Sequence, residues 1–269
     1  SQGLILLEAL KIVERFPLHD WGPLDPRSAH VMVEATRLAF ADARRHLGDP
    51  DSVDVAVGWL LSDGRAAELA ATIDLGRATA GRGVPISSDT TSFVVADPRS
   101  AVCYIQSVFS PWGSTFVIPG TGILMNNRMT GFSLEPSSPN CLEPGKRTVH
   151  TLNNFIVEKD GRLLVAGGTP GADFQVQTNL QVIAGVVDWG LDLQAAVDSP
   201  RWATTGDGRL SIESRTAASV SEGLAARGHD IRDAGPWGVR ACSQVLASLD
   251  SGGWAAASDL RGEGLALAL

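Results

Sequence analysis

Cysteine is scarce in this chain, and the three present, Cys103, Cys141 and Cys242, are far apart and odd in number. None belongs to a Cys-x-x-Cys pair and none has a histidine at ligand spacing, so neither a disulfide framework nor a zinc site is indicated, and no metal or cofactor is expected. Basic residues are also in deficit: 22 Lys+Arg stand against 30 Asp+Glu, a formal net charge of -8. The cations are scattered rather than striped, which excludes nucleic acid and anionic membrane as partners. Long apolar runs are missing as well. No stretch approaches the roughly 18 residues that span a bilayer, and none has the layout of a secretory signal. A cytoplasmic setting is favoured on these grounds, although Ser1-Gln2-Gly3 leads straight into an apolar run that needs a partner surface, so Ser1 is not expected to be the natural start of the gene product. There is no internal repeat and no low-complexity segment.

What is present suits a large core. The 269 residues are 44% hydrophobic and 19% charged, enough for one large domain or two small ones. Residues 1–75 read as helical: an apolar run over 4–16 is stopped by Pro17, and a second helix has Asp25 as N-cap, Pro26 at its first position and Gly48 as a stop. Residues 76–89, GRATAGRGVPISSD, have the composition of an exposed, mobile connection. Beyond it the texture changes. Residues 93–96 and 101–108 predict one antiparallel hairpin, and 155–158 with 163–166 predict another. Helices follow over 175–189 and 193–198, and the tail from Leu210 alternates short strands with a helix near 217–227. Helices, paired antiparallel strands and helices again make a layered α/β sandwich.

The stretch SSDTTSFVVAD, from Ser87 to Asp97, places two threonines where the polar run meets an apolar alternation. β-Branched residues ordinarily open strands, which accounts for a threonine there without any chemistry. A threonine at a chain terminus is different, because its own α-amino group can take the hydroxyl proton. That chemistry requires the preceding bond to be cut, in a loop that runs into a strand holding the new terminus.

Six blocks in order, LAFADARRHLGDPDSVDV, DTTSFVVAD, GTGILMNNRMTGFS, LEPGKRTVHTLNN, GGTPGADFQVQ and AASDLRGEG, resemble the γ-glutamyltransferase family of N-terminal-nucleophile hydrolases. The resemblance implies a four-layer αββα sandwich of the α+β class, here incomplete, and a precursor that cuts itself in two. Residues 1–89 would be the C-terminal part of a large-subunit-like helical segment, and 90–269 the small-subunit-like catalytic domain. Position by position, Thr90 falls on the family's nucleophile, so that the Asp89–Thr90 bond would be the one cut and Thr91 would merely start the strand. Ser107 falls where the family has a second threonine whose hydroxyl contacts the nucleophile; a serine keeps that hydroxyl, though in a strand it often just bonds to backbone. Gly171 and Ala172 fall on the paired glycines whose N–H groups stabilise the oxyanion. Alanine keeps the N–H but gives up easy access to φ > 0, so a need for that conformation would distort the hole.

The departures cluster on one function. Where the family holds the glutamyl α-amino and α-carboxylate groups, this chain carries Phe109, Arg128, Gly131, His150 and Thr151. The aspartate that would pair with an ammonium is missing at Gly131, and a cation, Arg128, has replaced a glutamine. A positive side chain near an ammonium with no carboxylate to offset it costs on the order of a few kcal/mol. Arg128 and His150 could instead hold a carboxylate or another polar acyl end. This pattern is similar to the acylase and amidohydrolase branch of the family, which implies hydrolysis of a small-molecule amide through an acyl-enzyme at Thr90. Three other readings stay open: a γ-glutamyl hydrolase or transferase with an unusual pocket, a homologue in secondary metabolism that cleaves another bond, and a non-catalytic binding or scaffold subunit. Family precursors also carry a few hundred further residues before the point matching Ser1, so a missing N-terminal segment, a partner subunit or a homodimer is expected to cover the exposed apolar face.

Overall fold

The structure is a computed structural model that describes residues 1–79 and 89–268. The junction segment 76–89 therefore lies largely outside the described residues. The first part is helical, as expected: α1 (Gly3–Val13), α2 (Leu18–Trp21), α3 (Pro26–His46), α4 (Val57–Leu60) and α5 (Asp63–Ala71). Asp25 caps α3 by accepting from the Arg27 N–H at 2.8 Å, with Pro26 inside the first turn where its missing N–H costs nothing. Arg44, Arg45 and His46 lie in the last turn, complementing the helix dipole. α1 packs along α3, α5 and α6, and its Ile5, Ala9, Ile12 and Val13 are buried. Polar groups are buried in this packing too. Arg65 on α5 forks onto Asp42 of α3 at 2.6–2.8 Å, and Glu8 of α1 shares a hydrogen bond with Asp42. Burial first, then the neighbouring Asp42, push the Glu8 carboxyl up to about 8.

The second part supplies β1 (Asp89–Ala96), β2 (Ala101–Phe109), β3 (Asn154–Lys159), β4 (Arg162–Gly168), α6 (Phe174–Val187), α7 (Leu193–Asp198), β5 (Trp202–Thr204), β6 (Leu210–Ile212), α8 (Ala218–Ala226), β7 (Ile231–Asp233), β8 (Gln244–Ser248) and β9 (Trp254–Ser258). β1 and β2 form a two-stranded antiparallel sheet; β3-β4-β8-β9 form a second sheet and β5-β6-β7 a third. The β1–β2 hairpin stacks on β4 and β8, while α6 packs on β4 and against α1 and α3. Val165 and Ala166, successive residues of β4, are both fully buried, because each face of the strand is covered. Helices over two stacked sheets reproduce the expected mixed α/β sandwich. The outward face of the hairpin is open: Phe93, Val95, Val102 and Tyr104 are about half exposed, with Phe93 stacked on Tyr104 at 4.9 Å.

The tail is locked by ions. Arg201 and Asp259 pair at 2.6 Å and Arg261 pairs with Glu213 at 2.6 Å, all essentially without solvent contact, which gives the AASDLRGEG block a structural role. Cys103, Cys141 and Cys242 are free thiols, and no helix among the described residues is long and apolar enough to cross a membrane.

Candidate active site

The antiparallel register sets Thr90 opposite Ser107 and Thr91 opposite Gln106. Side chains alternate across a strand, so the two threonines point to opposite faces. Thr90 shares the half-buried face with Ser92 and Val94, whereas Thr91 shares the exposed face with Phe93 and Val95. The ladder slips between Asp89 and Thr90, where Asp89 pairs with Phe109 and Val108 is passed over. Such a bulge re-aims the chain. It coincides with Phe109 at φ 83°, a rare conformation for a bulky residue, and with a hydrogen bond from the Phe109 N–H to Ser107 Oγ at 2.9 Å. The serine hydroxyl thus does bond to backbone, as an acceptor.

Five of the sequence-predicted positions converge on one cavity of about 750 Å³: Phe109, Arg128, Gly131, His150 and Thr151 all line it. Local hydrogen bonds set them. Asn127 accepts from the Ser110 N–H at 3.0 Å and donates to Ser110 Oγ at 2.8 Å, clamping the 3-10 turn Arg128–Gly131 to the end of β2. Asn140 donates to the Gly131 carbonyl at 2.8 Å and accepts from the Val149 N–H at 3.1 Å, which holds the two rims together. The Arg128 guanidinium stands 5.5 Å from the centre of the Phe109 ring, and its Nη2 is buried with no hydrogen-bond partner among the described residues. His150 Nδ1 is in the same condition. Burial first, then the charges of the Ser1 amino group and Arg128, lower His150 to about 4, so it enters the cavity as a neutral imidazole rather than a second cation. A Cβ built on Gly131 would lie 3.2 Å from Thr148 Oγ1, so a larger residue there would press on the rim.

Thr90, Ser107, Gly171 and Ala172 are not among the cavity-lining residues: Ser107 accepts from the N–H of Phe109 and Ala172 precedes Asp173, both of which line it, and Thr90 is one step further off, paired with Ser107. Gly171 has φ 129° and Ala172 φ 47°. The alanine therefore occupies the left-handed region despite its Cβ, at about 1–2 kcal/mol, and stays buried, so the loss of the second glycine has not moved this backbone out of positive φ. Gly171 and Ala172 then lead directly into α6.

Other site residues are not visible in the local sequence pattern. Arg44 from the last turn of α3 and Gln2 from the start of α1 line the same cavity, and Gln2 Nε2 donates to Asp173. Burial raises the Asp173 carboxyl to about 6, against the opposing effects of Gln2 and Arg44. Away from the cavity, His30, Glu34 and His229 come together as a buried trio, although no ligand cluster is apparent from the spacing.

Residues 1–269 match the Gamma-glutamyltranspeptidase family model, and the chain belongs to that family. It is 37% identical over 238 residues to the oxamate amidohydrolase proenzyme of Klebsiella pneumoniae, covering 86% of this chain and 44% of that protein. Against the acylase ACY 1 proenzyme of a Pseudomonas strain it is 34% identical, covering 86% and 42%. Among solved structures, the cephalosporin acylase of Bacillus halodurans superposes with a TM-score of 0.88 at 33% identity, over 98% of this chain and 48% of that one. The fold is thus that of the N-terminal-nucleophile hydrolases, in the family's acylase-like branch. The chain spans about half the length of the curated relatives it matches.

Proposed function

We propose that the chain is the nucleophile-bearing part of a self-processing N-terminal-threonine amidohydrolase that takes a small acyl group ending in a carboxylate or carbonyl. In maturation, Thr90 Oγ attacks the carbonyl carbon of Asp89 and the C–N bond breaks, freeing the Thr90 amine; water then hydrolyses the resulting ester, giving the Asp89 carboxylate and returning the Thr90 hydroxyl. This divides the chain into segments 1–89 and 90–269. In turnover, the amine takes the Thr90 hydroxyl proton as Oγ attacks the substrate amide, and the oxyanion is held by the N–H groups of Gly171 and Ala172. The proton passes to the leaving amine, and water releases the acyl group from Oγ. Ser107 supports the nucleophile from the facing strand. The mature assembly includes the further segment or subunit that covers the Phe93 and Tyr104 face.

The observation that carries the substrate assignment is the pair Arg128 Nη2 and His150 Nδ1, both buried in the cavity wall without a partner among the described residues, with no carboxylate at Gly131. A planar guanidinium and a neutral ring N–H suit an anionic or carbonyl acyl end. A γ-glutamyl α-ammonium would meet Arg128 at close range, with a Coulomb repulsion on the order of a few kcal/mol at an effective dielectric of about 20. Glutaryl-p-nitroanilide, which lacks the α-amino group, should be hydrolysed roughly a hundredfold faster than γ-glutamyl-p-nitroanilide in the processed full-length enzyme. Arg128→Gln should narrow the gap. Equal or reversed rates would replace this reading with the glutamyl one, which one feature favours: the Asp173 carboxyl lines the same cavity and could face an ammonium. A non-catalytic subunit would show one band on a denaturing gel, and self-cleavage two, of about 89 and 180 residues.

A further inference from the structure

We propose that His30, Glu34 and His229 form a binding site for a zinc-class divalent ion, remote from the cavity, which fastens the chain segment leading toward Thr90 to helix α3. One donor atom from each residue lies within 4.8 Å of the others, and all three residues are buried. His30 and Glu34 are one helical turn apart on α3, so they project from the same face, and His229 reaches them from the loop between α8 and β7.

The proton arrangement around His30 fits a ligand. Its Nε2 lies 2.9 Å from the Asp74 carbonyl, an acceptor only, so Nε2 carries the proton and Nδ1 keeps its lone pair. That lone pair faces His229 Nε2 at 2.8 Å. A metal-binding histidine commonly gives its other N–H to a backbone carbonyl in this way. Zinc–nitrogen bonds of about 2.0–2.1 Å in a tetrahedron place the two nitrogens about 3.3 Å apart, so the rings need part by only about half an ångström to admit the ion. On binding, the proton that His229 Nε2 now donates to His30 shifts to His229 Nδ1; both rings stay neutral and no proton leaves. His229 Nδ1 is buried with no partner among the described residues and has its lone pair available for that proton.

Glu34 supplies the negative charge. Its Oε1 accepts from Arg37 at 2.9 Å and its Oε2 from the Thr79 N–H at 3.2 Å, leaving lone pairs on both oxygens. Arg37 also donates to the Thr79 carbonyl at 3.1 Å, and Ala78 N–H donates to the Arg227 carbonyl at 2.7 Å. The partners of the trio thus reach Asp74, Ala78 and Thr79, at the start of the path to Thr90. The set of two imidazoles and one carboxylate suits zinc rather than magnesium or calcium.

The full-length protein, free of any affinity tag, should be stripped with a chelator and titrated with Co²⁺ and Zn²⁺. The expected result is saturation at one equivalent per chain, visible d–d absorption of a low-symmetry Co²⁺ site without thiolate charge-transfer bands, and a rise in Tm on adding Zn²⁺. Glu34→Gln, which keeps the side-chain shape, and His229→Ala should each lose both the spectrum and the Tm rise. If His229→Ala does not fold, Glu34→Gln alone decides. The proposal is overturned if the wild-type protein takes up no stoichiometric ion, or if Glu34→Gln binds as the wild type does.

Discussion

Thr90 and Ser107 sit directly opposite one another on the half-buried side of the β1–β2 hairpin, and Thr91 lies on the other side, opposite Gln106. Only the first threonine is therefore on the side that packs toward the second sheet. Thr90→Ala should abolish both chain cleavage and turnover, whereas Thr91→Ala should change each by no more than a few-fold. Ser107→Thr should keep activity, and Ser107→Ala should lower it about tenfold, the worth of one hydrogen bond of roughly 1–1.5 kcal/mol. Gel mobility and initial rates check all four; a dead Thr91→Ala beside an active Thr90→Ala would put the nucleophile one residue on.

Ala172 holds φ 47° with its Cβ in place. Replacing it by glycine removes about 1–2 kcal/mol of strain and adds about 0.4–1 kcal/mol of unfolded-chain entropy. Ala172→Gly should thus unfold at the same or slightly higher urea concentration and keep its turnover, since the N–H is unchanged. Ala172→Val, β-branched in the left-handed region, should lose both stability and rate.

Glu8 gives the stability a pH dependence. Its folded pKa of about 8 lies above the ordinary 4.5, so the folded state retains a proton that the unfolded chain has released. The associated stabilisation is complete below pH 4.5 and is lost as the pH rises through about 8. The buried His30, His150 and His229 and the Ser1 amino group are shifted down by burial, so they act in the opposite direction, and the Glu8 effect is read as a difference from a variant that keeps them. Relative to Glu8→Gln, which can still donate to Asp42, the wild-type urea midpoint should drop as the pH rises from about 4.5 to about 8 and level off above it.

Asp259 meets Arg201 and Arg261 in a region with no solvent contact and accepts the Ser243 N–H at 2.9 Å. Asp259→Asn would leave the buried Arg201 guanidinium without its carboxylate partner, while Arg261 would keep only Glu213, which it already shares with Arg215. A loss of about 3–5 kcal/mol is expected, read as a large drop in urea midpoint. Asp250→Asn, whose partner Arg162 is 3.9 Å away at the exposed surface, should leave the urea midpoint essentially unchanged.

The contrast between α3 and β1 shows what the sequence makes legible. The bounds of α3 were readable because its signals are local: an aspartate cap, a proline in the first turn and a glycine after the last. β1 begins at Asp89 rather than at Phe93, because Asp89 and Thr90 become strand by pairing with Phe109 and Ser107, a partner that no window around them contains. The short β5 has the same character, since three residues carry no alternation to read. The cavity was half legible. Family resemblance identified Phe109, Arg128, Gly131, His150 and Thr151, but Gln2, Arg44 and Asp173 reach it from the ends of three different helices. His30 and His229 are 199 positions apart and meet only through the packing of α3 on α8.

That interleaving of early and late helices has a consequence for assembly. α3 packs on α6 and α8, and α1 on α6, so elements from before and after the undescribed segment share one core. A backbone cut at Asp89–Thr90 would leave the pieces associated while turning their folding from a one-body into a two-body process. The cut form should co-elute as a single species, yet its melting temperature should rise with protein concentration, as that of the uncut form does not. Refolding it from denaturant would require two molecules to find each other, a step the precursor completes within a single chain.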